Sequence, residues 1–235
     1  IRGADSLSDI TFDVAPGETV GIIGGTGSGK SSLVNMIPRF YDASQGSVCI
    51  DGVDVKDYTL DELRHKVGVV PQKAVLFAGT IADNIRWGKQ DATEAEIDEA
   101  LEIAQAKEFV DGKENGIYFK ITQGGKNLSG GQKQRLTIAR AVVRKPEILI
   151  LDDSASALDF ATDAALRKAI REKTKGMTVF LVSQRASTIM NSDKIIVMDD
   201  GQIAGIGTHR QLLSNCEIYR EICQSQLSEE ELSHE

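Results

Sequence analysis

Short apolar runs alternate with amphipathic segments along most of the chain, and this alternation predicts the order of strands and helices. The apolar runs have strand length and are bounded by turn residues, whereas the amphipathic segments repeat apolar residues at helical spacing. The predicted strands cover residues 19–23, 46–50, 67–70, 147–151, 178–183, 194–198 and 203–206. The predicted helices cover residues 32–37, 60–66, 92–112, 164–173 and 212–223, and a further helix begins at residue 129. This alternation indicates an α/β fold with a mostly parallel sheet between layers of helices.

Three segments depart from the simple alternation. Near the start, Ile10, Phe12 and Val14 alternate with polar residues, which predicts a half-buried strand of a small antiparallel sheet. Residues 74–145 are predicted to form a helical subdomain inserted into the sheet domain. Residues 226–235 are acidic and are predicted to form a solvated tail.

Composition and charge narrow the classes of function. The 235 residues are 41% hydrophobic and 26% charged, which suits a globular domain with a sizeable core. A net charge of −8 and a pI near 5.0 argue against a nucleic-acid partner. No apolar run reaches the length of a membrane span. The cysteines show neither metal-ligand spacing nor an even disulfide set, so reduced thiols are expected.

A phosphate-binding loop follows the first predicted strand. Residues 24–31 read Gly-Gly-Thr-Gly-Ser-Gly-Lys-Ser, which is the G-x-x-x-x-G-K-S pattern between a strand and a helix. Glycines allow successive backbone N–H groups to surround a phosphate. Lys30 is expected to reach the β- and γ-phosphates of a nucleotide, and the Ser31 hydroxyl is expected to bind Mg²⁺. The predicted nucleotide contacts are Gly24, Thr26, Gly27, Ser28, Gly29, Lys30, Ser31 and Ser32.

An aspartate ends the apolar run at residues 148–151. A carboxylate at the carboxyl end of a buried strand, here Asp152, can hold the Mg²⁺ that bridges the phosphates of a nucleotide. Taken alone, the pattern fits a strand that ends in a solvated carboxylate equally well. Its position downstream of a phosphate loop favours the metal site.

A second anion-binding helix start is predicted at residues 128–132, which read Leu-Ser-Gly-Gly-Gln. Ser129 with Gln132 three residues later fits a capping box. A glycine-containing helix N-terminus offers N–H groups to an anion. The chain therefore has two helix N-termini suited to an anion, but only one of them belongs to a phosphate loop. We expect the other, at residues 128–132, to serve a nucleotide bound to another chain.

Together these motifs resemble the nucleotide-binding domain of ATP-binding cassette (ABC) transporters, and the resemblance covers essentially residues 1–235. It implies the P-loop NTPase fold of the ABC ATPases, with a mostly parallel sheet core, an antiparallel β subdomain and an α-helical signature subdomain. It also implies that two such domains clamp two molecules of ATP, each with Mg²⁺, in a head-to-tail dimer. Each ATP lies between one domain's phosphate loop and the other's signature segment, here Leu128, Ser129, Gly130, Gly131 and Gln132.

Further positions match the family pattern one by one. Gln72 stands where the glutamine loop of the family contacts ATP and Mg²⁺ and touches the transmembrane domain. Ser156 and Asp159 stand in the D-loop, the segment that crosses the dimer interface in the family. Residues 77–85 resemble the exporter version of the segment after the glutamine loop, and residues 207–209 match the family's Gly-Thr-His.

Two catalytic positions depart from the family pattern, and both belong to the site built on this chain's own phosphate loop. Asp153 stands where the family has a glutamate that polarises the attacking water, and its side chain is one methylene shorter. A misplacement of about 1 Å can lower a rate on the order of 100-fold. Gln184 stands where the family has a switch histidine. Glutamine can hydrogen-bond a γ-phosphate, but it cannot relay a proton.

An intact signature beside altered catalytic positions resembles one half of a heterodimeric multidrug exporter. The resulting hypothesis is a slow, degenerate ATP site in this chain and a competent site in a different partner chain. A homodimer that hydrolyses ATP adequately with Asp153 and Gln184 is the alternative. The resemblance also implies that the transmembrane domains of an exporter are partners, and that the domain lies at the cytoplasmic face of a bacterial cell membrane.

Two other functions compete with the exporter hypothesis. A soluble ABC protein that acts on ribosomes or DNA would carry a second cassette, a long coiled coil or a basic face, and the sequence shows none of these. An importer ATPase subunit is less consistent with residues 79–85, Gly-Thr-Ile-x-x-Asn-Ile.

The family also stacks an aromatic residue on adenine. None of the first eleven residues is aromatic, so the stacking residue is expected upstream.

Overall fold

The computed structural model describes residues 6–154 and 156–228, which fold as two compact units. The first unit combines Ile1–Val67 with Thr178–Glu235, and the second comprises Gly68–Met177. The strands are β1 (Thr19–Gly24), β2 (Cys49–Ile50), β3 (Val53–Asp54), β4 (Val67–Val70), β5 (Gly79–Thr80), β6 (Lys120–Ile121), β7 (Ile148–Asp152), β8 (Thr178–Val182), β9 (Lys194–Asp199) and β10 (Gln202–Gly207).

The predicted helices are present with changes at their ends, and two further helices, over residues 81–86 and 186–189, were not predicted. They are α1 (Lys30–Asn35), α2 (Leu60–Lys66), α3 (Ile81–Arg86), α4 (Glu94–Ile103), α5 (Lys107–Asp111), α6 (Gly130–Val142), α7 (Phe160–Lys173), α8 (Ala186–Ile189), α9 (His209–Asn215) and α10 (Glu217–Gln226). Short 3₁₀ helices occupy Gly116–Tyr118 and Gln123–Gly125. Among the described residues, no helix has both the length and the hydropathy that crossing a membrane requires.

The first unit is built on a mixed sheet whose strands lie in the order β10-β9-β1-β8. The central strand β1 pairs in parallel with β8 on one side and with β9 on the other. β10 turns back from β9 and pairs with it in antiparallel fashion. Every residue of β8 is buried, as expected for a parallel strand that is covered on both faces. The predicted mostly parallel core is therefore confirmed, with an antiparallel strand at its edge.

A hairpin joins β2 to β3 in the same unit. Asp51 and Gly52 have φ angles of 53° and 78°, so both residues of the two-residue turn are left-handed. Such turns favour Asp-Gly because these residues tolerate positive φ and because the turn matches the twist of the strands. The predicted Asp-Gly turn is confirmed.

The second unit combines neighbouring strands β4 and β7 with helices α3–α7. Helices α3, α4 and α6 begin at Thr80, Thr93 and Ser129, and each of these residues forms a complete capping box. Each box satisfies backbone N–H groups that have no partner inside the helix. The single helix predicted over residues 92–112 is divided into α4 and α5. The helix is interrupted at Gln105, which has a φ of 56°.

The structure differs from the sequence predictions near both ends of the described chain, at residues 10–14 and at the terminal helix. Residues 10–14 are extended, with Ile10, Phe12 and Val14 half-buried and their neighbours exposed, but they form no ladder within the described chain. The alternation predicted which side chains are buried, whereas a strand also needs a paired neighbour. The terminal helix predicted over residues 212–223 forms two helices, which meet at Cys216 in extended conformation. Helix α10 continues to Gln226, and residues 229–235 of the predicted tail lie outside the described residues.

Candidate functional site

The phosphate loop connects β1 to α1 and closes around a lysine. Lys30 is only 8% exposed. Its Nζ donates to the carbonyl oxygens of Gly24 and Gly25 at 2.8 and 2.7 Å, and to Ser28 Oγ at 3.3 Å. The ammonium group is thus already placed at the centre of the loop. Phosphate oxygens are stronger partners for an ammonium than carbonyl oxygens are, so a bound phosphate would compete for these bonds.

Glycine is required at two positions of the loop for different reasons. A Cβ on Gly24 would lie 2.2 Å from the carbonyl oxygen of Met198 and 2.6 Å from Ser28 Oγ. Gly29 has a φ of 97°, a conformation that side chains rarely adopt. A Cβ on Gly25, in contrast, would meet nothing within 4 Å. The loop shape therefore depends on close backbone packing at Gly24 and on left-handed backbone at Gly29.

The turn between β9 and β10 supports the phosphate loop. The backbone N–H of Gly201 donates to the carbonyl oxygen of Ser28 at 3.2 Å. Asp200 and Gly201 have φ angles of 42° and 75°, so the turn is left-handed at both positions. The sequence indicated only a hairpin turn here, because a hydrogen bond between segments so far apart in the chain leaves no local pattern.

Gln184 lies at the same edge of the sheet as the phosphate loop. Parallel strands β1 and β8 place Ile22 opposite Val182. The backbone N–H of Ser183 donates to the carbonyl oxygen of Ile22 at 3.0 Å, which extends this pairing past the end of β8. The loop follows β1 and Gln184 follows β8, so the first unit brings these predicted site residues together. The Gln184 side chain is exposed.

The second unit brings Gln72 and Asp153 together. Gln72 Nε2 donates to Asp153 Oδ2 at 2.9 Å. Asp153 has a φ of 47°, and the N–H and Oγ of Ser156 donate to its carbonyl oxygen at 3.2 and 2.8 Å. The Asp153 carboxylate is therefore held by the glutamine loop, and the Asp153 backbone is held by the D-loop. Ala155, between them, lies outside the described residues.

The predicted magnesium ligands offer suitable atoms. Asp152 is the last residue of β7, so its carboxylate stands at the carboxyl end of a mostly buried strand. Because Gln72 donates through its Nε2, its Oε1 keeps its acceptor capacity. Ser31 adds a hydroxyl in the first turn of α1. Carboxylate, amide and hydroxyl oxygens are hard ligands of the kind that Mg²⁺ prefers, so each of these residues is chemically suited to this ion.

The signature segment forms the start of α6. Ser129 Oγ accepts a hydrogen bond from the N–H of Gln132 at 3.2 Å, and Gln132 Oε1 accepts one from the N–H of Ser129 at 3.1 Å. The predicted capping box is confirmed. Leu128 is buried beneath it, and Ser129 and Gly130 are exposed. The segment thus presents an ordered helix N-terminus to solvent, with its positive end outward.

The D-loop lies next to the signature. A Cβ on Gly131 would lie 3.2 Å from the carbonyl oxygen of Ala157. Asp159 caps α7, because its Oδ1 and Oδ2 accept hydrogen bonds from the N–H and Oγ1 of Thr162 at 2.9 and 2.8 Å. The backbone hydrogen bond from Thr162 lowers the pKa of Asp159, so the carboxylate is ionised at neutral pH.

Helix α6 also holds the glutamine loop, a connection that the sequence did not reveal. Gln134, which is 1% exposed, donates from Nε2 to the carbonyl oxygen of Pro71 at 3.3 Å. Arg140 donates to the carbonyl oxygens of Asn84 and Val75 at 2.8 and 2.9 Å. One helix therefore carries the signature at its start and fixes the glutamine loop along its length.

A groove of about 190 Å³ opens beside this helix in the second unit. Trp87, at its rim, is 68% exposed, and its ring lies 5.0 Å from that of Phe77. The guanidinium of Arg140 lies 5.6 Å from the Phe77 ring centre. The lining residues are Val69, Pro71, Val75, Trp87, Gly88, Thr137, Arg140, Ala141 and Arg144.

Comparison with known proteins gives concordant matches in sequence and structure. The sequence profile described as "ABC transporter" matches residues 7–156. The chain is 46% identical over 218 residues to a probable multidrug resistance ABC transporter ATP-binding/permease protein of Bacillus subtilis, covering 93% of this chain and 37% of that protein. It is 42% identical over 229 residues to the ATP-dependent lipid A-core flippase of Hahella chejuensis, covering 97% of this chain and 39% of that protein.

A solved structure of a bacterial Atm1-family ABC exporter with ATP bound has the same fold. The TM-score is 0.93 at 38% sequence identity, and the match covers 97% of this chain and 40% of that chain. The chain therefore spans less than half the length of each of these relatives.

Proposed function

The chain belongs to the ABC transporter family, and we propose that it is one half of a heterodimeric exporter, with a slow ATP site of its own and a signature for a competent site in its partner. It is the ATP-binding domain of an ABC exporter. The observation that carries the proposal is the contrast between the complete capping box at Ser129 and the short, immobilised carboxylate at Asp153.

The chain's own site binds ATP well in this proposal but activates water poorly. Lys30 and the N–H groups of the loop hold the phosphates. Ser31, Gln72 and Asp152 would hold Mg²⁺ in this proposal, and the ion would supply positive charge to the phosphate oxygens. The family pattern assigns Asp153 to the attacking water, but its carboxylate is shorter and already bonded to Gln72. Gln184 donates to the γ-phosphate without taking up a proton.

The signature completes the ATP site of the partner domain. Exposed Gly130 and the start of α6 direct backbone N–H groups outward, and the helix dipole favours an anion at that end. The capping box keeps Ser129 and Gln132 in one conformation before the partner arrives, which lowers the ordering cost of dimerisation.

The groove beside α6 receives a segment of the exporter's transmembrane domain. Exposed Trp87 and Phe77 supply apolar contact area, and Arg140 supplies positive charge for a helix C-terminus or an acidic side chain. Relatives of this chain with ATP-binding/permease names extend well beyond the matched region, which supports a membrane partner. Docking there would hold the domain at the cytoplasmic face of the membrane.

The dimer proposal is tested by mixing this chain with the second nucleotide-binding domain of the same exporter. The pair should hydrolyse ATP much faster than this chain alone. Gly130→Asp should abolish the gain, because a carboxylate at the helix N-terminus repels the partner's γ-phosphate. Gly112→Asp is the matched control, since Gly112 is exposed in the same unit and lies outside the signature. Equal rates for the chain alone and for the pair would refute the heterodimer.

The groove is tested separately by Trp87→Glu in the assembled exporter. ATPase activity should become uncoupled from transport while ATP binding stays at the wild-type level. Val53→Glu, at another exposed apolar residue, serves as the control. Retained transport in the Trp87 variant would exclude the groove as the docking surface.

A further inference from the structure

One side chain from the C-terminal helix forms two hydrogen bonds with the backbone of the segment that carries Gln184. Gln226 is the last residue of α10. Its Oε1 accepts a hydrogen bond from the N–H of Ala186 at 2.8 Å, and its Nε2 donates to the carbonyl oxygen of Gln184 at 2.8 Å. The backbone is therefore bonded on both sides of Arg185 by one amide group.

This contact supplies a helix cap that the local sequence lacks. Helix α8 begins at Ala186, and its N-cap residue, Arg185, makes no side-chain capping bond. The first N–H groups of a helix have no partner inside that helix. Gln226 provides the acceptor from a helix that lies 40 residues further along the chain.

The opposite end of the segment is fixed by the central sheet. The N–H of Ser183 donates to the carbonyl oxygen of Ile22 at 3.0 Å, and Ser183 Oγ accepts a hydrogen bond from the N–H of Arg185 at 3.0 Å. Ser183 and Ala186 are both buried. The exposed side chain between these anchors is that of Gln184.

Helix α10, which carries Gln226, is packed against the rest of its unit. Tyr219 and Cys223 face inward and are both 0% exposed. The Tyr219 hydroxyl and His209 Nδ1 share a hydrogen bond of 2.7 Å. Burial raises the pKa of Tyr219 well above its usual range, so the hydroxyl stays neutral. The packed face of α10 therefore supports its last residue, Gln226, where it bonds Ala186 and Gln184.

We propose that Gln226 is a positioning residue that holds Gln184 in place to contact the γ-phosphate of ATP. This inference rests on the proposed role of Gln184 in this chain's own site. Loss of the Gln226 amide leaves the Gln184 carbonyl and the start of α8 without these partners, so the segment shifts and the Gln184 side chain loses its alignment. ADP has no γ-phosphate, so its binding does not depend on this alignment.

The test measures discrimination between ATP and ADP at this chain in the assembled exporter. Photolabelling of this chain by azido-ATP is competed with ATP and with ADP. Gln184→Ala should weaken ATP competition about tenfold or more, because a hydrogen bond to a charged group is lost. Gln226→Leu should weaken it about fivefold, the value of a typical hydrogen bond, and should leave ADP competition unchanged. The double variant should be no weaker than Gln184→Ala alone.

Gln224→Leu is the matched control, because Gln224 lies exposed on the same helix and the substitution is identical. It should leave both competitions at wild-type values. The inference is overturned if Gln226→Leu keeps the ATP preference while Gln184→Ala removes it. It is also overturned if Gln226→Leu weakens ATP and ADP equally and lowers the melting temperature, which is the pattern of a purely structural role. A wild-type chain that does not distinguish ATP from ADP would refute the role of Gln184 itself.

Discussion

Lengthening the carboxylate at residue 153 should accelerate hydrolysis at this chain's own ATP site. Asp153→Glu adds one methylene and moves the carboxylate outward by about 1.5 Å along the side chain, roughly one carbon–carbon bond. In the present structure the carboxylate is fixed by the hydrogen bond of 2.9 Å from Gln72 Nε2. The longer side chain extends past that bond toward the position from which the family's glutamate polarises water.

The size of the gain follows from geometry. A displacement of about 1 Å in a catalytic group costs on the order of 100-fold in rate, which corresponds to about 2.7 kcal/mol of activation free energy. The substitution also has a cost in stability, because residue 153 has a φ of 47° and glutamate tolerates this conformation less well than aspartate. A cost of about 1 kcal/mol would lower the melting temperature by about 2–4 °C.

Single-turnover hydrolysis of photolabelled nucleotide on this chain measures the effect without interference from the partner's site. Asp153→Asn is the control, since it keeps the length and removes the charge, and it should not accelerate hydrolysis. If Asp153→Glu changes the rate less than about threefold while ATP still binds, the short carboxylate is not what makes the site slow.

Three further predictions concern the loop, the signature and a surface ion pair. Gly24→Ala should abolish ATP binding and destabilise the domain, because a Cβ would lie 2.2 Å from a backbone oxygen, whereas Gly25→Ala should melt near the wild-type temperature, since its Cβ meets nothing within 4 Å. Ser129→Ala should cost about 1 kcal/mol of stability through the lost cap, seen as a melting temperature lower by about 2–4 °C, and Ser129→Asn should restore most of it. Hydrogen bonds from Lys89 and from the backbone at Thr93 lower the pKa of Glu96 from 4.5 to about 2. Stability from this group is complete above pH 4.5 and is lost as the pH falls toward 2, so Glu96→Gln should flatten that part of the acid-unfolding profile.

The sequence by itself determined the elements whose causes are local. Capping residues at Ser129, glycines in the phosphate loop and the apolar run before Asp152 each act over a few neighbouring positions. The phosphate loop after β1, the start of α6 and strand β7 could therefore be predicted at the positions where the structure has them. The departures at Asp153 and Gln184 were visible because they occupy defined places in those motifs.

Tertiary structure alone decided which distant segments support these motifs. Alternating apolar and polar residues at 10–14 predict a strand, yet this segment pairs with no strand in the described chain. Pairing depends on a neighbouring strand that the alternation does not specify. Composition predicts that Gln226 belongs to an acidic tail, whereas its amide caps a helix that begins 40 residues earlier. Gln72 and Asp153 meet across 81 residues. Hydrogen bonds of this kind connect single side chains to groups that are remote in the chain, so they leave no periodicity that a sequence could display.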